Sequence, residues 1–522
     1  MKKIIATATS LCLSAGIILP ATEAAAAPKF DYSDAFGKSI MFYEANWSGK
    51  VENNRFDWRG DAFLKDGADV GLDLSGGFFD AGDHVKFGLP QAYAASTLGW
   101  GYFAFKDAYK SNGQDAYMLK ILKHFTDYFL KCYPDNNTFY YQVGDGDLDH
   151  AYWGPPEIQP TARPTKFKAT PSDPASDVCG NTAAALAIMY LNYKDVDATY
   201  ANKCLTAAKN LYSLGKNYKG LSHGQSYYVS TSYYDDLAWG AVWLYQATND
   251  NSYMTDANSF LSQINADGDK VYTSYWTHCW DNVWTGVIYK MAEVTGKANY
   301  KASVENNLNY WMNNIKTTAG GLKFATDWGS LRYSSTQAML ALIQYNRTKE
   351  QKYLDFATRQ IDYILGDNPR SSSYVVGFGN NYPKFPHHRG ASGRLEPGEM
   401  KTMPEKHILT GALVGGPDGN DQYKDDINNY QQTEVAIDYS AGFVGAMAGI
   451  TKYLDPAPII IDPITYALGD VNKDGKVNAI DLAILKKNLL NGITGDLTVS
   501  DMNKDGKVNA IDLALLKKLL LG

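Results

Sequence analysis

Ser335–Tyr345 (STQAMLALIQY) is followed, after five residues, by Gln351–Leu365 (QKYLDFATRQIDYIL), and the second run meets Gly366 and then Pro369. These are two helices joined by a short turn, with a glycine and a proline as stop signals. The pattern recurs along the chain. Thr182–Tyr193 is an Ala-rich helix, and Asp235–Thr248 carries Leu237, Ala238, Ala241, Val242 and Tyr245 at helical spacing. Glu434–Leu454 reads as a long helix with Ala and Gly along it. Runs with the alternation of strands are few. The fold class is all-α, built from helix pairs, with Gly-, Pro- and aromatic-rich loops between them to carry function.

The chain has 522 residues, more than one typical domain. Its 45% apolar and 20% charged residues exclude a mainly disordered or collagen-like chain. A net charge of −7 argues against nucleic acid or an anionic membrane as the main partner. Aromatic residues make up 13%, and the 38 Tyr and 11 Trp have polar handles that suit stacking on sugars as well as core packing. Residues 1–27 read as a signal peptide: Lys2 and Lys3 precede the apolar Ile4–Leu19, and Ala24–Ala27 offers a small-residue cleavage site. No later run reaches the length of a membrane helix. The expectation is a soluble, secreted protein, one charge more negative after cleavage. Cys12 leaves with the leader. Cys132, Cys179, Cys204 and Cys279 remain, either as disulfides or as buried thiols, and the second is expected because four in so long a chain are not a disulfide scaffold.

The long C-terminal helix ends in Asp455-Pro456-Ala457-Pro458, and 456–468 reads as a linker. Beyond it, Gly469–Asn491 (GDVNKDGKVNAIDLAILKKNLLN) and Ser500–Gly522 (SDMNKDGKVNAIDLALLKKLLLG) are identical at 18 of 23 positions. Each copy starts with a calcium-loop pattern. Asp470, Asn472, Asp474, Lys476 (through its carbonyl), Asn478 and Asp481 fall at loop positions 1, 3, 5, 7, 9 and 12, with Gly475 at the sharp turn. The second copy supplies Asp501, Asn503, Asp505, Lys507, Asn509 and Asp512, with Gly506 at the turn. Position 12 is Asp where an ordinary EF-hand has Glu, and each copy is a loop with an exit helix only. Residues 469–522 resemble a type I dockerin, the module that attaches enzymes to the cohesins of a scaffoldin. The resemblance implies cohesin recognition by Ala479-Ile480 and Ala510-Ile511, flanked by Lys486-Lys487 and Lys517-Lys518. So small a module cannot bury a large core, so bound calcium should supply much of its folding free energy.

Three acidic or basic motifs stand out in the larger part. Gly76–His84 (GGFFDAGDH) holds Asp80 and Asp83 three residues apart in a Gly- and aromatic-rich loop, where two carboxylates could hold a water and take its proton, or serve only as turn residues. Ser373–Arg389 ends in His387 and Arg389, which can donate to sugar hydroxyls or pair with backbone. Tyr423–Ala441 contains Asp425 and Glu434, the latter at the expected start of a helix. Together they resemble glycoside hydrolase family 9, chiefly cellulases, over about Phe30–Leu454, except that Ser440 stands where Asn is usual. The resemblance implies an (α/α)6 barrel with an open groove. It implies Asp83 as general base, Asp80 as a holder of the attacking water, and Glu434 as general acid. His387, Arg389 and Tyr439 would bind sugar near the cleavage point, and Trp153, Tyr227, Trp276 and Trp328 would stack on glucosyl rings. Ser232, Asp235, Asp236 and Asp281 look like the family's calcium site. No Cys/His spacing suggests zinc. The expected organisation is 1–27 signal peptide, 28–455 catalytic domain, 456–468 linker and 469–522 dockerin, with no room for an added immunoglobulin-like or cellulose-binding module. The implied activity is inverting, endo-acting hydrolysis of β-1,4-glucan in an extracellular multi-enzyme complex. A processive or exo-acting glucanase, a xyloglucanase, a non-catalytic glucan-binding subunit and a structural component stand as alternatives.

Overall fold

Inner and outer helices alternate along the chain. They are α1 (Tyr32–Ala45), α2 (Gly88–Ser111), α3 (Asp115–Cys132), α4 (Ser176–Tyr193), α5 (Ala198–Asn217), α6 (Tyr234–Thr248), α7 (Asn251–Leu261), α8 (Trp284–Thr295), α9 (Ala298–Asn313), α10 (Ser330–Thr348), α11 (Gln351–Leu365) and α12 (Ile437–Leu454). A computed structural model describes residues 28–395, 403–455, 467–472, 476–491, 497–503 and 505–521. The expected leader, Asp474, Gly475 and most of the expected linker lie outside the described residues.

The even-numbered helices form the inner ring. α2 packs on α4, α4 on α6, α6 on α8, α10 on α12, and α12 on α2. Asn307 of α9 receives a hydrogen bond from Gln337 of α10 at 2.8 Å and another from Tyr289 of α8 at 3.4 Å, which ties the ring together at that point. Each inner helix is backed by an outer one: α1 on α12, α3 on α2, α5 on α4, α7 on α6, α9 on α8 and α11 on α10. This is an (α/α)6 barrel, as the family resemblance implied.

The sequences explain the two roles. α4 and α12 are rich in Ala and Gly and are buried on almost every face, so neighbouring backbones can approach. A Cβ on Gly101 of α2 would lie 3.0 Å from the Gly445 Cα of α12. α11 is amphipathic, burying Tyr353, Leu354, Phe356, Ile361 and Ile364 on one side. At the centre, Trp100, Trp239 and Trp243 meet edge to face around the buried His278, with Trp100 and Trp239 centroids 5.3 Å apart. The few strands form one antiparallel sheet of Lys86–Phe87, Phe139–Val143 and Thr165–Ala169. Its first strand follows the Asp80–Asp83 loop directly and fixes where that loop ends.

α4 begins six residues and α10 five residues before the expected start, because Val178, Cys179, Leu331 and Tyr333 are buried in the barrel and hold the extra turns; α10 also runs on to Thr348. Among the described residues, Cys132, Cys179, Cys204 and Cys279 are all buried free thiols. In the C-terminal module, α13 (Ala479–Leu490) and α14 (Ala510–Leu521) pack on each other, burying Leu485 and Leu516. Asn478 and Asp481 form a reciprocal capping box at the start of α13.

Candidate active site and calcium loops

Backbone hydrogen bonds bring the three motifs together. The His387 N–H donates to the Thr433 carbonyl (2.9 Å), the Arg389 N–H to that of Gly82 (3.0 Å), and the Ile437 N–H to that of Asp80 (2.9 Å). His387 and Glu434 pair as an isolated parallel bridge. A Cβ on Gly82 would sit 2.1 Å from the His387 carbonyl oxygen, so only glycine permits this approach. Asn46 donates to the Ala81 carbonyl (2.8 Å) and pairs with His388 (3.0 Å), bracing the same junction from α1.

Glu434 does not open a helix. It adopts φ −61°, ψ 146° between a single turn, Tyr430–Thr433, and α12, which starts at Ile437. Its carbonyl accepts from the Gly415 N–H at 2.8 Å, and that tie together with the bridge to His387 keeps it extended. The expected helix start at this residue is therefore replaced by an extended, sheet-like conformation. Ser440, which stands where Asn is usual, is fully buried, and its hydroxyl makes no hydrogen bond.

Asp80 and Asp83 are buried and Glu434 is half-buried, and the three carboxyls are shifted in opposite directions. Burial alone would raise Asp83, but His150, whose Nε2 lies 3.1 Å from Oδ2, and the Arg389 charge outweigh it and hold Asp83 at about 2. Asp83 Oδ1 also accepts from the Ala81 N–H at 3.1 Å. Burial pushes Glu434 up to about 7, with Asp83 and Asp438 adding repulsion and donors from Trp328 (3.3 Å) and Tyr439 (3.2 Å) to Oε2 opposing it. Asp80 is raised well above the carboxylate range, first by burial and then by Asp83 and Asp438. Its Oδ2 accepts from the Tyr228 hydroxyl at 2.5 Å, while Oδ1 is buried without a partner. The site thus holds one carboxylate, one acid that retains its proton to near neutrality, and a third carboxyl with an open oxygen between charged neighbours.

Aromatic rings surround these groups. Trp153 meets His387 edge to face at 5.2 Å and lies 5.3 Å from the Arg389 guanidinium. The His387 Nδ1 lies 2.6 Å from the Ile427 carbonyl, and burial keeps this ring neutral, at about 4. Trp328, 42% exposed, reaches Glu434 and packs near Tyr430. Tyr227 packs against His150 at 4.6 Å and bonds Asp147. Trp276 stands apart, half-buried against Tyr333 and Cys279. Asp425 accepts from the backbone of Lys384 and Phe385, so it shapes the loop before His387. Sequence reasoning missed His150 and Tyr228, the direct partners of Asp83 and Asp80. Both adjoin residues singled out for stacking (DHAYW and SYYVS), and their polar tips were the available signal. It also missed the Arg332–Asp438 pair (3.1 Å) beneath Tyr439.

Among the described residues, Asp83, Asp149 and His150 are the cluster whose ligand atoms all lie within 4.8 Å of one another. Asp235, Asp236 and Asp281 do not cluster in this way. Asp236 accepts from Asn181 (2.9 Å) and Asp281 from the Thr231 N–H (3.0 Å). A cation there would need backbone carbonyls, such as that of Ser232, beside Asp235 and Asp281. Two features fit one: Asp235 Oδ1 is buried without a partner, and burial pushes Asp235 up to about 7. In the C-terminal module the carboxylates point into their loops. Asp481 accepts from the N–H groups of Asn472 and Asn478, Asp512 from Met502 and Asn509, and Asp501 from Asp505 and Gly506. Asp470, Asp481, Asp501 and Asp512 are buried, which is costly for unneutralised carboxylates and suits a hard cation. Ala479, Ile480, Ala510 and Ile511 are exposed at the starts of α13 and α14, with Ile480 at 58% and Ile511 at 56%.

The family model for glycosyl hydrolase family 9 matches residues 32–447, and that for the dockerin type I domain matches residues 468–521. Endoglucanase A of Bacillus pumilus is 44% identical over 443 residues, covering 81% of this chain and 66% of that relative. This chain thus spans about two thirds of that relative's length. Among solved structures, the cellulase Cel9M of C. cellulolyticum in complex with cellobiose is 52% identical with a TM-score of 0.79, covering 81% of this chain and 99% of that one. The catalytic domain of CelT of Clostridium thermocellum is 38% identical with a TM-score of 0.74, covering 81% and 97%.

Proposed function

The chain belongs to glycosyl hydrolase family 9 and carries a type I dockerin domain, and from that premise we propose that it is a secreted cellulosomal endo-β-1,4-glucanase acting with inversion. The observation that carries this reading is the opposed titration of Asp83 and Glu434 in one frame. Asp83, ionised across the working range, takes a proton from a water that attacks the anomeric carbon from the face opposite the leaving group. Glu434 gives its proton to the glycosidic oxygen as the C1–O bond breaks. The new hydroxyl appears with inverted configuration, and proton exchange with solvent resets both carboxyls. Asp80 Oδ1 offers the hydrogen bond that holds the water, while Tyr228 fixes its other oxygen. His387, Arg389 and Tyr439 bind the sugar next to the cleaved bond, and Trp153, Tyr227, Trp276 and Trp328 stack on its neighbours. Endo action is supported by the endoglucanases among the relatives.

Calcium is proposed in both dockerin loops and beside Asp235 and Asp281, where it would neutralise buried carboxylates and order the loops. The exposed Ala479-Ile480 and Ala510-Ile511 pairs present the apolar surface for a scaffoldin cohesin. No helix among the described residues is long and apolar enough to cross a membrane.

The test is time-resolved proton NMR of cellopentaose cleavage by wild type and Glu434→Gln. Newborn α-anomer with a nearly silent variant supports the assignment. Newborn β-anomer refutes the roles of Asp80 and Asp83, and no cleavage of this or longer glucans returns the chain to a binding role. Viscosity loss against reducing-end release separates endo from processive action.

A further inference from the structure

The loop carrying Asp80 and Asp83 is closed at its base by buried charge. Lys86 is fully buried, and its ammonium donates to the carbonyls of Leu74 (2.6 Å) and Gly76 (3.1 Å), so it bonds the start of the loop to its end. The same ammonium pairs with Asp66 at 2.8 Å. Asp66 is held from the other side by the Arg163 fork, with Nε at 2.9 Å and Nη2 at 3.2 Å. The third arm of Arg163 donates to the His84 carbonyl at 2.8 Å, and the His84 N–H donates to Asp149 at 3.1 Å. Both backbone groups of the residue after Asp83 are therefore gripped by side chains from outside its loop: Asp149, in the short helix Gly146–His150, and Arg163, just before the strand Thr165–Ala169. Arg163 lies over Phe63, its guanidinium carbon 3.6 Å from the ring centroid, a contact that braces the fork.

We infer that Lys86, Asp66 and Arg163 form a buried ionic staple whose role is to position Asp80 and Asp83, with Asp66 as the positioning residue that joins the two cations. This rests on the glucanase reading for what the positioned groups do. The chemistry asks for a staple here. A Gly-rich loop has no ladder of its own, and a displacement of about 1 Å at reacting groups can cost about a hundredfold in rate. None of the three residues needs to touch the sugar. Asp66 is central because each cation faces the other across it, so without its charge two buried cations confront each other at the loop's base.

The experiment compares full-length Asp66→Asn and Arg163→Lys with wild type on cellopentaose, alongside hydrogen–deuterium exchange of peptides covering residues 74–86. Arg163→Lys retains a cation toward Asp66 but cannot also reach His84. The expected result is a fall in kcat of about tenfold to a hundredfold with KM within about twofold. Faster exchange should be confined to residues 74–86, with the barrel helices protected as in wild type. Folded variants with wild-type kcat would overturn the inference, as would a loss that tracks general loss of protection. Should Asp66→Asn fail to fold, Arg163→Lys decides by the same criteria. Should the wild type cleave no glucan, the glucanase reading fails on its own. The exchange data then decide the staple, and unchanged exchange at 74–86 sinks it.

Discussion

Tyr439→Phe should move the alkaline limb of the pH profile upward. In the proposed mechanism Glu434 must carry a proton, and it is half-protonated at about pH 7. Burial is the largest cause of that value, but two donors oppose it: the Trp328 indole at 3.3 Å and the Tyr439 hydroxyl at 3.2 Å, both on Oε2. A donor to a carboxylate favours the ionised form, so its loss must raise the pKa. Hydrogen bonds to charged groups contribute about 1.5–3 kcal/mol, and a length of 3.2 Å belongs at the weak end. At about 1.4 kcal/mol per pH unit, the shift is about one unit upward. The assay is kcat/KM against pH on a soluble cello-oligosaccharide, which reports the free enzyme's groups. Phe retains the ring over which Arg332 lies at 4.7 Å, so the packing is conserved. An alkaline limb that stays in place or moves down refutes the argument that Glu434 is the acid titrated by these donors.

Other consequences are checkable in the same way. His150→Asn removes a cation from Asp83, so the acid limb should rise from about 2, measured in the same profiles. Glu434→Gln should lower kcat about 10²- to 10⁴-fold on substrates with poor leaving groups, with cellotriose affinity by calorimetry little changed. Calcium removal by chelation should unfold α13 and α14, seen as lost helical circular dichroism and faster proteolysis after residue 467. Activity on soluble oligosaccharide should fall far less than helicity in that module. Ile480→Asp with Ile511→Asp should abolish cohesin capture in a pull-down without altering calcium-dependent helicity, since both side chains are exposed.

The elements legible in the sequence were those set by near neighbours. α11 occupies Gln351–Leu365 as expected, because its apolar periodicity is strong and Gly366, at φ 138°, supplies the backbone geometry that ends it. The duplicated calcium loops were legible because a cation's ligands come from one short segment at fixed spacing. The Asp-Ala-Gly-Asp loop was legible as a motif. The protonation of its two acids was not, because a carboxyl's protonation depends on groups far away in sequence. Asp83 is buried and Glu434 half-buried beside it, yet His150 and Arg389 hold one low while desolvation and Asp83 itself hold the other high. Glu434 shows the same limit in the backbone. Its local sequence favours a helix, but hydrogen bonding with Gly415 and the bridge to His387 keep it extended. Spacing and periodicity determined most of the helices and the duplicated loops, and the resemblance of three motifs to one family pointed to the acids. The barrel alone decided which distant residues meet each acid, because desolvation and charge act through space and not along the chain.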